Sequence, residues 1–313
     1  MDLVDVHSIS FYFSHRSRFF QSVFHLITGM YPWIEPFSGT DVRVWMGNNV
    51  DVCAVLCFLY LGMIRYGPNI CKSVFGEKGN SPDPAWLRYA MVLWNLFLSA
   101  FSCSGMIVMV PALIKQFAKD GWHNTLCIHH DELLYSTTVG FWTGFFVISK
   151  TFELMDTVFL VLQKQKLPPF LHWYHHVSVL IFAWMSYTVG NSTMAIFAAM
   201  NITVHTIMYF YFAVCAMGLK RIARPFAKFI TTIQILQMVG GSVVTFYSFV
   251  VNFQSYQNGI DDVNKLPCAV NKGTARFGSI MYLSYLYLFS KLFVNSYMRK
   301  PVPRGEKPAK KAE

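Results

Sequence analysis

Charge is what this sequence has least of. Only 13% of its 313 residues are Asp, Glu, Lys or Arg, where a soluble domain carries about 25%. No polar stretch is long enough to build a large soluble domain. The apolar runs that make the chain 54% hydrophobic recur instead along its whole length, which is the pattern of a polytopic membrane protein. The seven cysteines include no CxxC pair, so neither a zinc ribbon nor a redox dithiol is indicated. Met1 to Ser10 contains acids and no apolar core, so no cleavable signal peptide is evident. The net charge of +10 does not point to nucleic acid. The basic residues flank apolar runs rather than forming one patch, as the positive-inside rule expects.

What is present is a set of seven apolar segments, at about 45–66, 87–114, 139–162, 170–189, 193–217, 226–251 and 277–297. Each is roughly long enough to cross a hydrocarbon core. The short linkers at 163–169 and 220–228 make successive spans antiparallel neighbours. The expected fold is an all-α membrane protein of seven transmembrane helices, a ring enclosing an apolar bore. Residues 1–44 read as an interfacial segment in which Phe11, Phe13, Phe19, Phe20 and Phe24 interleave with His15, Arg16 and Arg18. Residues 45–298 form the membrane domain, and 299–313 a basic tail. Basic residues are in excess on the side holding the loops with Lys164, Lys166, Lys220, Arg221 and Arg224 and the tail. That places the C-terminus in the cytosol and the N-terminus on the lumenal side. Lys310 and Lys311 near the end look like an endoplasmic reticulum retrieval address, with a solubilising basic tail as the alternative.

Four polar clusters interrupt the spans. His172, His175 and His176 open the fourth, at i, i+3 and i+4 on one helix face. Lys150, Glu153, Asp156 and Thr157 lie in the third, with pairing of Lys150 and Glu153 expected because lone intramembrane charges are costly. His205 lies in the fifth with Asn201, Tyr209 and Tyr211. Thr231, Gln234 and Gln237 are spaced by threes in the sixth, where interhelical amide bonds are a sufficient structural reason for them. Polar stripes on four consecutive spans imply a shared polar chamber with an apolar bore behind it.

A histidine cluster at a membrane face first suggests metal, as in the His-box di-iron desaturases and hydroxylases. Too few histidines fall on the expected face for a closed site of that kind. The other histidine chemistry is nucleophilic and acid–base: a neutral imidazole accepts an acyl group from a thioester and shuttles protons. The motifs KxxExxDT (Lys150 to Thr157), HxxHH (His172 to His176), HxxMYxY (His205 to Tyr211, followed by Phe212) and TxxQxxQ (Thr231 to Gln237) occur together in this order. This resembles the ELO family of fatty acid elongases, over about residues 45–300. Phe212 stands where that family usually has Tyr, so a hydroxyl there is dispensable.

The resemblance implies a 3-ketoacyl-CoA synthase of the endoplasmic reticulum. Such an enzyme condenses an acyl-CoA with malonyl-CoA, with loss of carbon dioxide and CoA, to a 3-keto thioester two carbons longer. By the same resemblance His175 carries the acyl group as an acyl-imidazole, His205 positions or polarises malonyl-CoA, and His172 and His176 orient the pair. Lys164, Lys166, Lys220, Arg221 and Arg224 are candidates for the phosphates of CoA. Leu167, five residues before His172, looks like the branch handling saturated and monounsaturated chains. No metal and no cofactor beyond the substrates is expected. Partners implied are membrane lipid, the ketoacyl reductase, dehydratase and enoyl reductase of the cycle, and possible further copies of the chain; nucleic acid is not. A seven-span receptor and a transporter are the rivals, distinguished by product formation from labelled malonyl-CoA and by broken midspan helices respectively. Candidates for a chain-length stop are Met194, Phe197, Met238, Phe246 and Phe249. Cys127 and Cys268 are the only cysteines placed on the lumenal side, and so the only pair with a disulfide-forming compartment.

Overall fold

A computed structural model describes residues 38–77 and 83–298. The described residues are helical throughout, without strands. The helices are α1 (Gly39–Asn48), α2 (Val50–Phe75), α3 (Ala85–Cys127), α4 (Asp131–Leu134), α5 (Thr137–Phe152), α6 (Met155–Lys164), α7 (Phe170–Thr188), α8 (Met194–Ala216), α9 (Lys220–Ala223), α10 (Ala227–Val251), α11 (Phe253–Gln257) and α12 (Lys272–Phe293). A 3₁₀ turn, Arg224–Phe226, leads into α10, and a π turn, Val294–Met298, closes α12.

Five of these stretches are long and apolar enough to cross a membrane: Val50–Phe75, Ala85–Cys127, Met194–Ala216, Lys220–Val251 and Lys272–Met298. The chain is thus a multi-pass membrane protein, with two of the seven expected spans falling short of that standard. The third is split at Glu153 and Leu154 into helices of 16 and 10 residues. The fourth is a helix of 19 residues whose first two turns hold the three histidines. Both departures occur where polar side chains enter the bundle. Boundaries move as well. Trp45 belongs to α1, capped by the Ser38 side chain, so the first span starts at Val50 rather than 45. The second runs on to Cys127, bent at Gly121, whose φ of 73° suits glycine. The seventh starts at Lys272 behind an Asn271 cap. The interfacial segment, apart from residues 38–44, and the basic tail lie outside the described residues.

Helix contacts close into a cycle: α3 on α8, α8 on α10, α10 on α12, α12 on α7, α7 on α5, and α5 back on α3. α2 lies against α6 and α7. Close approach is enforced by small residues. A Cβ at Gly140 would come within 2.6 Å of the Tyr135 backbone, and one at Gly39 within 2.4 Å, so α1 and α5 meet at that corner.

One end of the cycle is sealed by a disulfide between Cys127 and Cys268, 141 residues apart. Backbone and amide bonds surround it. Ala269 N–H donates to the Cys127 carbonyl (2.8 Å) and Ser192 N–H to that of Ala269 (2.8 Å). Asn252 accepts from Cys268 N–H (2.8 Å) and donates to the Cys268 carbonyl (2.6 Å). Asn191 donates to Thr274 and accepts from Asn271 N–H. The three histidines of α7 lie at the opposite end.

Candidate active site

The split between α5 and α6 turns a row of polar side chains into the middle of the cycle. Lys150 Nζ donates to Glu153 Oε1 (2.6 Å) and to Asn201 Oδ1 (2.8 Å), and lies 4.3 Å from the Phe146 ring centroid. Ser149 also donates to Glu153 Oε1 (3.1 Å). All four polar groups are buried, which satisfies the requirement that a buried charge be paired. Asn201 then donates to His205 Nε2 (3.2 Å). That bond makes Nε2 an acceptor, so the neutral ring carries its proton on Nδ1, 3.8 Å from Glu153 Oε1. One turn further, Asp156 accepts from Trp94 Nε1 (2.6 Å) and from the Tyr209 hydroxyl (2.8 Å).

The α7 histidines differ in their commitments. His172 Nε2 is bonded to Thr157 Oγ1 (2.8 Å), which is bonded in turn to the Tyr60 hydroxyl (2.7 Å). His176 is buried between the rings of His172, His175 and Tyr60, its Nδ1 without a hydrogen-bond partner. The His175 ring packs on Tyr285 (5.2 Å between centroids), whose hydroxyl donates to the His175 carbonyl (3.2 Å) and bonds Ser178 (2.6 Å). Neither ring nitrogen of His175 is hydrogen-bonded among the described residues.

The four histidines, Asp156, Asn201 and Tyr209 face a cavity of about 450 Å³. Its walls include His172, His175, His176, His205, Asp156, Asn201, Tyr209, Thr231, Gln234 and Gln237, with Tyr211 and Phe212 toward one side. A second, much smaller void, about 20 Å³, lies between Val179, Phe182, Met194, Phe197, Met238 and Tyr282. His175, Asn201, Gln237 and Met238 line both. His175 thus stands between the polar chamber and a small apolar void, lining both. Among the described residues no group of three or more His, Cys, Asp or Glu side chains is placed to hold a metal ion.

Each of the four sequence clusters contributes to this chamber, but the third-span cluster does so only through Asp156; Lys150, Glu153 and Thr157 do not line it. The five cationic candidates do not line it: Lys164, Lys166, Lys220, Arg221 and Arg224 are exposed. They lie in the two connections that lead to wall residues Pro169 and Ala227. Met194, Phe197 and Met238 line the small void. Phe246 does not, being 67% exposed, and Phe249 packs on Phe253 and Tyr256 near the disulfide. Tyr60, Trp94 and Tyr285 carry hydrogen bonds of the site that the sequence clusters missed. The only signal available was that a Tyr or Trp inside a span needs a partner for its polar tip.

The family model of ELO, the GNS1/SUR4 family, matches residues 45–304. The chain is 50% identical over 278 residues to "Fatty acid elongase 2" of Trypanosoma brucei brucei (strain 927/4 GUTat10.1), covering 89% of this chain and 99% of that protein. It is 49% identical over 280 residues to "Fatty acid elongase 2" of Trypanosoma cruzi (strain CL Brener), covering 90% and 98%. "Fatty acid elongase 1" of Trypanosoma brucei brucei is 43% identical over 277 residues, covering 85% and 88%. No solved structure matches the chain.

Proposed function

Since the chain belongs to the ELO (GNS1/SUR4) family, we propose that it is the condensing enzyme of fatty acid elongation. It joins a saturated or monounsaturated acyl-CoA to malonyl-CoA and releases carbon dioxide and CoA, leaving a 3-oxoacyl-CoA two carbons longer. The observation that carries this reading is His175: an imidazole with both nitrogens free among the described residues, lining both the polar chamber and the small apolar void. The imidazole takes the acyl group from the thioester. His205, its Nε2 held by Asn201 and its Nδ1 facing Glu153, polarises the malonyl unit. His172 is held by Thr157 and orients the cluster. The exposed cations beside the chamber mouth steer the phosphates of CoA.

In this reading α5 and α6 together, and α7, complete seven spans in residues 45–298, and the expected apolar bore holds the acyl tail. The disulfide end is lumenal, which agrees with the compartment in which disulfides persist. The protein then resides in the endoplasmic reticulum with its C-terminus in the cytosol, near the reductase, dehydratase and enoyl reductase that complete the cycle. The test is purified protein with labelled malonyl-CoA and a panel of acyl-CoAs from short to very long. A 3-oxoacyl-CoA two carbons longer than its primer is expected. No extended product from any primer would overturn the reading.

A further inference from the structure

Gln237 occupies a place in the fold that its packing does not explain. It is 8% exposed, yet its amide forms no hydrogen bond among the described residues. Its neighbour in the motif, Gln234, at least reaches Met208 Sδ (3.3 Å). Its amide atoms are not among the buried unpartnered ones, so they reach into the open space that the residue lines rather than being sealed in the packing. Gln237 lines the chamber, the small void, and an apolar groove of about 360 Å³ between α3, α8 and α10. Three spaces meet at one uncommitted amide.

Only His175, Asn201, Gln237 and Met238 line both chamber and void. Met238 has no donor. The Asn201 amide accepts from Lys150 and gives one of its two N–H groups to His205, so both ends are held in place. The Tyr285 hydroxyl is committed to Ser178 and the His175 carbonyl. Tyr282 lines the void but not the chamber, packed among Phe182 and Phe197. An acyl thioester with its tail toward the void and its CoA in the chamber has its carbonyl between them. Among the described residues there, the amide with neither end committed is that of Gln237.

Resting on the elongase reading above, we infer that Gln237 donates the hydrogen bond that stabilises the acyl carbonyl oxygen while the acyl group passes to His175. The imidazole nitrogen attacks the thioester carbon, a C–N bond forms, and the C=O π pair moves onto oxygen, where the amide N–H meets it. Collapse of that intermediate breaks the C–S bond. The sulfur leaves with the bonding pair and takes up the proton shed by the acylated imidazole, so CoA departs as the thiol. Donors aimed at a developing oxyanion act mainly on the transition state.

The experiment follows single-turnover formation of the acyl adduct by intact-protein mass spectrometry, with acyl-CoA and no malonyl-CoA. Gln237→Met keeps length and removes the donor; Gln237→Leu is the second variant should the first fail to fold. The expected result is adduct formation slowed by about 10²- to 10³-fold, with acyl-CoA affinity and thermal midpoint close to wild type. A merely structural role would lower affinity and midpoint together and leave the rate for the folded fraction intact; that result would overturn the inference. So would adduct formation at the wild-type rate in Gln237→Met, or a loss confined to Tyr282→Phe, which would move the donor to the void. Wild-type protein giving neither adduct nor product would overturn the elongase reading itself, and the inference with it.

Discussion

At the scale of single residues, the four histidines are separated by what their nitrogens already hold. His172 is tied to Thr157, His205 to Asn201, and His175 to nothing. The His175→Ala variant is therefore expected to lose the acyl adduct entirely on incubation with acyl-CoA. His172→Ala should keep it at reduced yield, as expected of a residue whose Nε2 is held by Thr157 and which the proposed function assigns to orienting the cluster. Accumulation of the adduct at full yield in His175→Ala would move the nucleophile elsewhere. The Tyr60 hydroxyl ends the relay through Thr157 to His172, so Tyr60→Phe removes one buried hydrogen bond and should destabilise the fold by about 0.5–1.5 kcal/mol. A thermal melt in detergent checks the first half. The second half is a fall in turnover larger than the fall in adduct yield, as expected if the relay holds His172 in register. Tyr60 and Trp94 were not legible in the sequence for a physical reason. Their partners, Thr157 and Asp156, are 97 and 62 residues away, and hydrogen bonds between helices leave no spacing to read. The Lys150–Glu153 pair and the α7 face were legible because their members are three and four residues apart on one helix.

At the scale of elements, the histidine helix α7 and the α5–α6 pair bring the polar clusters together, while residues of α7, α8, α10 and α12 line the small apolar void beside them. Motif spacing placed every cluster on its helix, and hydropathy located five long spans. Hydropathy was least informative where polar groups accumulate: the α5–α6 junction at Glu153 and the histidine-bearing α7 are the two expected spans absent from the five long apolar helices. Of the residues expected at a chain-length stop, Met194, Phe197 and Met238 line one small void while Phe246 is exposed. Which way a residue of an all-apolar helix faces depends on the neighbouring helix, not on its own pattern. Gly241 shows this. A Cβ there would sit 2.2 Å from the Tyr282 ring, and Tyr282 is stacked on Phe197 (5.2 Å) beside the void. Gly241→Ala is thus expected to push Tyr282 into the void, cost about 1–3 kcal/mol through overpacking, and shift products toward shorter chains. Phe197→Ala should shift them toward longer ones. Product profiles from a mixed acyl-CoA panel decide both, and unchanged profiles in both variants would mean that the acyl tail does not lie between these rings.

At the scale of the whole molecule, the protein is polarised end to end. One end holds the histidines and the exposed cations. The other holds the disulfide and a mesh of asparagine bonds through Asn191, Asn252 and Asn271. The larger share of the positive charge lies at the end opposite the disulfide, although Lys265, Lys272 and Arg276 flank Cys268, and such an excess is expected if one end faces the cytosol and the other an oxidising lumen. The two signals are independent, since one comes from loop charge and the other from side-chain geometry. The bridge closes a long stretch of chain, so chain entropy alone assigns it about 3–5 kcal/mol. The paired substitution Cys127→Ser with Cys268→Ser should lower the thermal midpoint while leaving the chamber, and hence acyl adduct formation at low temperature, intact. Topology is tested on sealed microsomes with a membrane-impermeant reductant followed by an impermeant maleimide. Labelling of Cys127 and Cys268 should require both permeabilisation and reductant. Labelling of either residue in sealed vesicles would place the disulfide end in the cytosol and reverse the orientation of the chamber. Labelling after permeabilisation without reductant would instead show that the bridge is absent from the protein as it is made.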